Sequence, residues 1–208
     1  MMHMPAKRVS AALAAVVISV SVAACAPPGQ DGAPGVAVVY GDTTITNVEL
    51  GDIVSSWAED TDGKDIANRR QALTIDLLTD DLLVAADELG YPIHRAVAEE
   101  YAQQWIFLKG ASGVPSEDVI NATQGVLALT VVVGADPSLL TLTEISDKVE
   151  AESIVSPRNG IYSTAALIES VNAAINSAQQ QDLGQFSFTE FQNVSAFVDE
   201  DRDWSNRS

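Results

Sequence analysis

Few side chains in this sequence can do covalent or metal chemistry. Cys25 is the single cysteine among 208 residues, and His3 and His94 are the two histidines. Nucleophilic triads and Cys-His pairs need a histidine beside the nucleophile. A zinc site built on His and Cys needs three or four such ligands. His94, the one histidine downstream of Cys25, cannot supply these sets. It follows Tyr91-Pro92-Ile93 at an expected helix start and reads as a solvated first-turn residue. Carboxylates are abundant, with 29 Asp and Glu against 11 Lys and Arg. Pairs such as Asp80-Asp81 and Glu99-Glu100 are adjacent, so on a helix they diverge and read as solvated faces rather than a general acid and base. Asp60-Thr61-Asp62-Gly63 opens like a calcium loop but lacks the bidentate Glu that closes one, and reads as a polar turn. No GxGxxG or phosphate-binding loop is present. No catalytic residues, metal or cofactor are expected.

That leaves Cys25, whose context is specific. Lys7 and Arg8 precede an apolar run, Ala11 to Ala24, broken only by Ser19 and Ser21. A basic start, a short apolar core and small residues before a cut describe a secretion signal. At about 14 residues the run falls short of the roughly 20 that span a bilayer. Val22-Ala23-Ala24-Cys25 resembles the lipobox of bacterial lipoproteins. That resemblance implies cleavage before Cys25 and a diacylglycerol thioether on its sulfur, anchoring the chain at the extracytoplasmic face of the cell membrane. Removing residues 1–24 takes out two basic residues and no acid, carrying the formal charge from −18 to about −20. Nucleic acid is excluded as a partner, since phosphate binding needs Lys and Arg clusters. Anionic lipid is excluded on the same ground, which leaves the acyl chains as the link to the membrane.

The elements that position everything else follow from spacing. Ala26 to Gly35 holds three prolines and few apolar side chains, so residues 25–35 read as a flexible tether. Val36 to Tyr40 and Thr43 to Ile45 form two short strands around a Gly41-Asp42 turn. Thr46 and Glu49 have capping-box spacing, and Leu50, Ile53, Val54 and Trp57 then make one helical face. A long second helix carries Ile75, Leu78, Leu82, Ala86 and Leu89 and stops at Gly90. A third is expected to bury Ile93, Val97, Tyr101, Trp105 and Leu108. Pro115 to Asp118 opens a fourth, rich in Val and Leu, in which Val131-Val132-Val133 could instead be strand. Thr141 and Glu144 predict a second capping box before a short helix with Ile145 and Val149. Ser153 to Tyr162 is extended around a Pro/Gly turn. Ser163-Thr164 caps a last helix with Leu167, Ile168, Val171 and Ile175. The expected fold is mostly α (α+β): five to six helices and a small sheet. Residues 36–180 form the domain and 181–208 an acidic tail holding Phe186, Phe188, Phe191 and Phe197, which can dock on the domain or on a partner.

Two stretches, Val36 to Leu50 and Val155-Ser156-Pro157-Arg158-Asn159-Gly160-Ile161-Tyr162, together resemble the SurA/PrsA N-terminal chaperone domain, in the lipoprotein form of high-GC Gram-positive bacteria. The family pattern there is Pro-Arg-aromatic-Gly, and Asn159 stands where the aromatic is common. The resemblance implies that the strand near Ile154 returns to pair with Val36 to Tyr40. It also implies a helical body that cradles unfolded exported polypeptide without ATP. Trp57, Tyr101, Trp105 and Phe107 are the large side chains that could line such a cleft, although helical spacing alone would put the same residues in a core. Arg158 either binds a client or partner carbonyl, or pairs with a carboxylate or caps a helix. Only 46 residues, without histidine, follow Tyr162. The roughly 100-residue parvulin domain of the family's foldases is therefore not expected, nor is isomerase activity. The competing expectation is an accessory lipoprotein docked on one envelope or respiratory membrane complex.

Overall fold

A computed structural model describes residues 34–65, 68–180 and 193–199. Cys25, the leader, the tether as far as Ala33, and the tail phenylalanines other than Phe197 lie outside them. β1 (Val36–Tyr40) and β2 (Thr43–Thr46) form a hairpin whose turn is opened by Gly41 at φ +55°. Six helices follow: α1 (Asn47–Asp60), α2 (Arg69–Glu88), α3 (Arg95–Leu108), α4 (Glu117–Ala135), α5 (Leu140–Glu152) and α6 (Thr164–Gln180). Two-residue strands β3 (Ile154–Val155) and β4 (Ile161–Tyr162) separate α5 from α6, and β5 (Phe197–Val198) ends the described chain. The architecture is the mostly α (α+β) class expected from the sequence.

Local signals explain most boundaries. The Thr46 hydroxyl accepts from the Glu49 amide at 3.1 Å while the Glu49 carboxylate accepts from the Thr46 amide at 2.7 Å, so the capping box at α1 is formed. α2 stops at Gly90, φ +84°, with Tyr91 N–H on the Ala86 carbonyl and Gly90 N–H on that of Asp87. This crossed pair is a Schellman stop, which needs the left-handed backbone glycine adopts freely. α3 ends the same way at Gly110.

The second expected capping box is not formed. α5 begins at Leu140, so Thr141 sits inside the first turn, and the N-cap is Leu139 in the left-handed region at φ 59°. Asp136 takes over the role: its carboxylate accepts from the Thr141 amide at 2.8 Å and the Thr141 hydroxyl at 3.1 Å. An acid already aimed at the exposed amides wins over a threonine that lies inside the helix.

α4 is the centre of the fold, packed on α2 and α3 and touching α1 and α5. Val131-Val132-Val133 is helix, because burial of Val132 and Val133 in the core outweighs the modest cost of β-branching in a helix. Among the described residues α4 is the one helix long and apolar enough to cross a membrane, and more than half of it is buried in this core. A Cβ at Gly125 would overlap the Thr79 hydroxyl and lie 2.9 Å from Ile75 Cγ2, so glycine is what lets α2 and α4 approach.

The sheet order is β2-β1-β3, all antiparallel, with Val38 opposite Val155 and Val39 opposite Ile154. The strand near Ile154 thus returns to β1 as the resemblance implied. β4 pairs instead with β5, Ile161 opposite Val198 and Tyr162 opposite Phe197. Val194, Ala196 and Phe197 are buried, so this part of the tail belongs to the domain's core.

Candidate functional site

The four large side chains expected around a cleft separate into two pairs. Trp57 on α1 and Trp105 on α3 are buried and meet edge to face, ring centroids 4.7 Å apart and planes at 75°. They anchor a small second core with Ala98, Ala102, Ile106, Val119, Ile120 and Leu127. Lys109 lies 5.6 Å from the Trp105 ring and is paired with Asp65 at 2.8 Å. Both indole N–H groups, and the Thr123 hydroxyl, are buried without a hydrogen-bond partner among the described residues. These two tryptophans are core residues.

Tyr101 and Phe107 lie away from that core. The buried face of α3 is Ala98, Ala102, Trp105 and Ile106, not the Val97, Tyr101, Trp105 and Leu108 stripe the spacing predicts. Alanines let α3 seat closely on α4, and the larger apolar side chains are turned outward. Phe107 is 74% exposed and Leu108 70%, with Val97 and Tyr101 also exposed. The result is a set of exposed apolar side chains beside a packed face.

The Pro157-Arg158-Asn159-Gly160 segment is a structural clasp. Asn159 N–H closes a turn on the Ser156 carbonyl at 2.9 Å, with Pro157 in the position its fixed φ favours. The buried Asn159 carboxamide donates to the Ala37 carbonyl at 3.2 Å, stitching the turn to β1. Gly160, at φ +90°, lies so close to the Val198 carbonyl that no side chain fits. Tyr162 is buried with its hydroxyl 3.0 Å from that of Ser146 and its ring edge to face with Phe197. Burial pushes its phenol up, and the nearby Glu150, Tyr40 and Asp147 add to the shift against the Ser146 hydrogen bond. Arg158 is exposed and makes no ion pair or hydrogen bond among the described residues. The expected helix cap or carboxylate partner for it is not formed there.

Asp60, read from the sequence as part of a polar turn, also caps a helix. Its carboxylate accepts from the Ser116 amide at 2.7 Å and the Ser116 hydroxyl at 2.8 Å, holding the start of α4 against the end of α1. His94 is the exposed N-cap of α3 and makes no side-chain capping bond. Among the described residues no group of three or more His, Cys, Asp or Glu is placed to hold a metal ion.

Sequence reasoning missed one concave feature. Between α5 and the first turns of α6 lies a recess of about 710 Å³, lined by Asp147, Glu150, Thr164, Ile168 and Glu169 among others. Asp147 and Glu150 are three apart on α5, and Thr164 and Ile168 four apart on α6, so each set shares a face. That spacing was visible, but nothing in the sequence announced that the two faces meet. No protein-family model, no curated protein and no solved structure matches the chain.

Proposed function

We propose that the protein is a lipid-anchored, extracytoplasmic module that binds extended polypeptide in a chaperone-like way, without ATP and without isomerase activity. The observation that carries this reading is the set of exposed apolar side chains on α3. Phe107, Leu108, Tyr101 and Val97 are exposed on a helix whose other side is fully packed. Exposed apolar side chains grouped on one element mark interaction surfaces. Unfolded chains offer complementary apolar groups, and burial returns roughly 25 cal/mol per Å² without any nucleotide. The Cys25 context supplies the tether, and the pairing of β3 with β1 agrees with the SurA/PrsA-like order of elements.

The test is aggregation of an unfolded client with the full chain present. Phe107→Ser and Leu108→Ser change exposed residues and should leave the fold intact while weakening protection. Equal protection by the double variant, or none by the parent chain, would overturn the reading. Cys25→Ala should release the protein into the medium or leave it unprocessed. Stable membrane retention of that variant without lipid would undo the anchoring part.

A second reading is an accessory lipoprotein docked on one membrane complex, with the same exposed apolar side chains of α3 as its contact. Capture from membranes separates the two. One stoichiometric partner supports docking, and many substoichiometric clients support chaperone-like binding.

A further inference from the structure

The exposed apolar side chains of α3 continue past the end of the helix. Phe107 and Leu108 sit in its last turn, and the segment that follows carries Val114, which is 79% exposed. Gln103 and Phe107 are one turn apart and share a side of the helix. The Gln103 carboxamide donates to the Gly113 carbonyl at 2.9 Å, so the residue before Val114 is fastened to that same side. Gly113 also lies against the end of α1, where a Cβ would stand 3.1 Å from the Asp60 carbonyl oxygen. Phe107, Leu108 and Val114 are thereby held at one tip of the domain, where α1 and α3 both stop.

The polar groups at this tip suit a lipid boundary. Lys64 donates to the Gly110 carbonyl, and Lys109 pairs with Asp65 at 2.8 Å. The Asp60 carboxylate is bonded to Ser116. Lysine stems are apolar and long, so they lie in such a boundary with the ammonium among the headgroups. A chain of charge −18 gains nothing from anionic lipid, but apolar side chains entering the acyl boundary do not depend on that attraction.

Reach selects the occupant. The start of α1 is bonded to the first described residues, the Asn47 amide donating to the Gly35 carbonyl at 2.7 Å. The end of α1 is the tip. With 14 residues the helix is about 20 Å long, which separates the tip from the point where the tether enters the domain. Residues 25–35 span roughly 35 Å when extended. An acylated Cys25 therefore keeps the tip within reach of the bilayer, at a roughly millimolar effective concentration. We propose that Phe107, Leu108 and Val114 insert into the bilayer beside the lipid anchor. This rests on the lipid-anchoring reading above and goes beyond it by giving the domain a fixed orientation on the membrane. It also sets bilayer and client in competition for Phe107 and Leu108.

The experiment uses the lipidated full chain in phosphatidylcholine vesicles. Acylation leaves Cys25 without a free thiol, so Leu108→Cys, Val114→Cys and, as a control on α6, the exposed Glu169→Cys each take one spin label. Labels at 108 and 114 should collide several-fold more with oxygen dissolved in lipid than with an aqueous nickel chelate, at a depth of about 5–10 Å. The label at 169 should show the reverse. Phe107→Ser should return the label at 114 toward water while the protein stays on the vesicles.

Aqueous labels at both 108 and 114 on vesicle-bound protein would overturn the tip and leave the anchoring reading standing. If Cys25 carries no lipid and the chain still floats with vesicles through Phe107 and Leu108, the tip stands and the anchoring reading fails. If it neither carries lipid nor floats, both fail. Excess unfolded client should draw the labels back into water. Labels that stay in lipid while the client is protected would keep the tip and remove α3 as the client's contact.

Discussion

Gly160 and Asp76 show how much a single position can carry. At Gly160 the backbone is left-handed and the Val198 carbonyl occupies the place of a side chain. Gly160→Ala should therefore cost on the order of 3 kcal/mol, combining strained backbone with a clash that only separation of β4 from β5 relieves. Urea unfolding would measure it, and a loss below about 0.5 kcal/mol would show that the turn relaxes freely. At Asp76, exposed in outline but set among acids, loss of hydration and then the charges of Asp80, Asp118 and Glu49 push the carboxyl up to about 6. The unfolded chain gives up that proton near 3.8. Between these values the folded state holds more protons, so this group's contribution to stability falls as pH rises from about 4 to about 6 and is flat above. Asp76→Asn should be the more stable protein at about pH 7, with the gain gone near pH 4. A gain that persists at the lower pH would contradict the assignment.

At the scale of elements, helix ends decided by short-range chemistry were legible and those decided by neighbours were not. The Thr46-Glu49 box and the Gly90 stop are contained within a few residues, and both form. The start of α5 depends on Asp136 folding back, and Leu139 can adopt its left-handed conformation because its side chain is held in the core. Hydrogen bonds from the Ser138 hydroxyl and the Thr141 amide push the Asp136 carboxyl down to about 2. A folded-state value below the unfolded one stabilises the protein above about pH 4 and is lost as pH falls through about 2. Asp136→Ala should accordingly lower the melting temperature at neutral pH, and the gap should close near about pH 2. α3 shows the limit of periodicity. Its large apolar residues predicted one buried face, yet Ala98 and Ala102 seat the helix because the neighbour, α4, rewards close approach over side-chain size.

For the whole molecule, closure comes from contacts between distant segments. β3 pairs with β1 across all the helices from α1 to α5, and β5 brings Phe197 onto Tyr162 with ring centroids 5.5 Å apart. Around them Tyr40, Asp81 and Lys148 tie β1, α2 and α5: the tyrosine hydroxyl donates to Asp81 at 2.6 Å and Lys148 donates to the same carboxylate. Arg70 pairs with Asp199 beside β5. Phe197→Ala should cost about 3–5 kcal/mol, the range for emptying a buried aromatic site. It should also alter the near-ultraviolet signal of Tyr162. Unchanged stability would mean that β5 is not part of the cooperative unit.

The sequence by itself determined the helices, the first hairpin, the fold class and the scarcity of cysteine and histidine, because caps, turns, periodicity and composition act within a few residues. It also singled out the Pro157 to Tyr162 segment, where Pro157 and Gly160 already imply a shaped turn. Only the tertiary structure decided which face of α3 is buried, that Trp57 and Trp105 fill a core rather than a cleft, and that Asp147, Glu150, Thr164 and Glu169 share one recess. Those outcomes depend on which helix packs against which, and the energy that selects them comes from surfaces brought together across long stretches of chain.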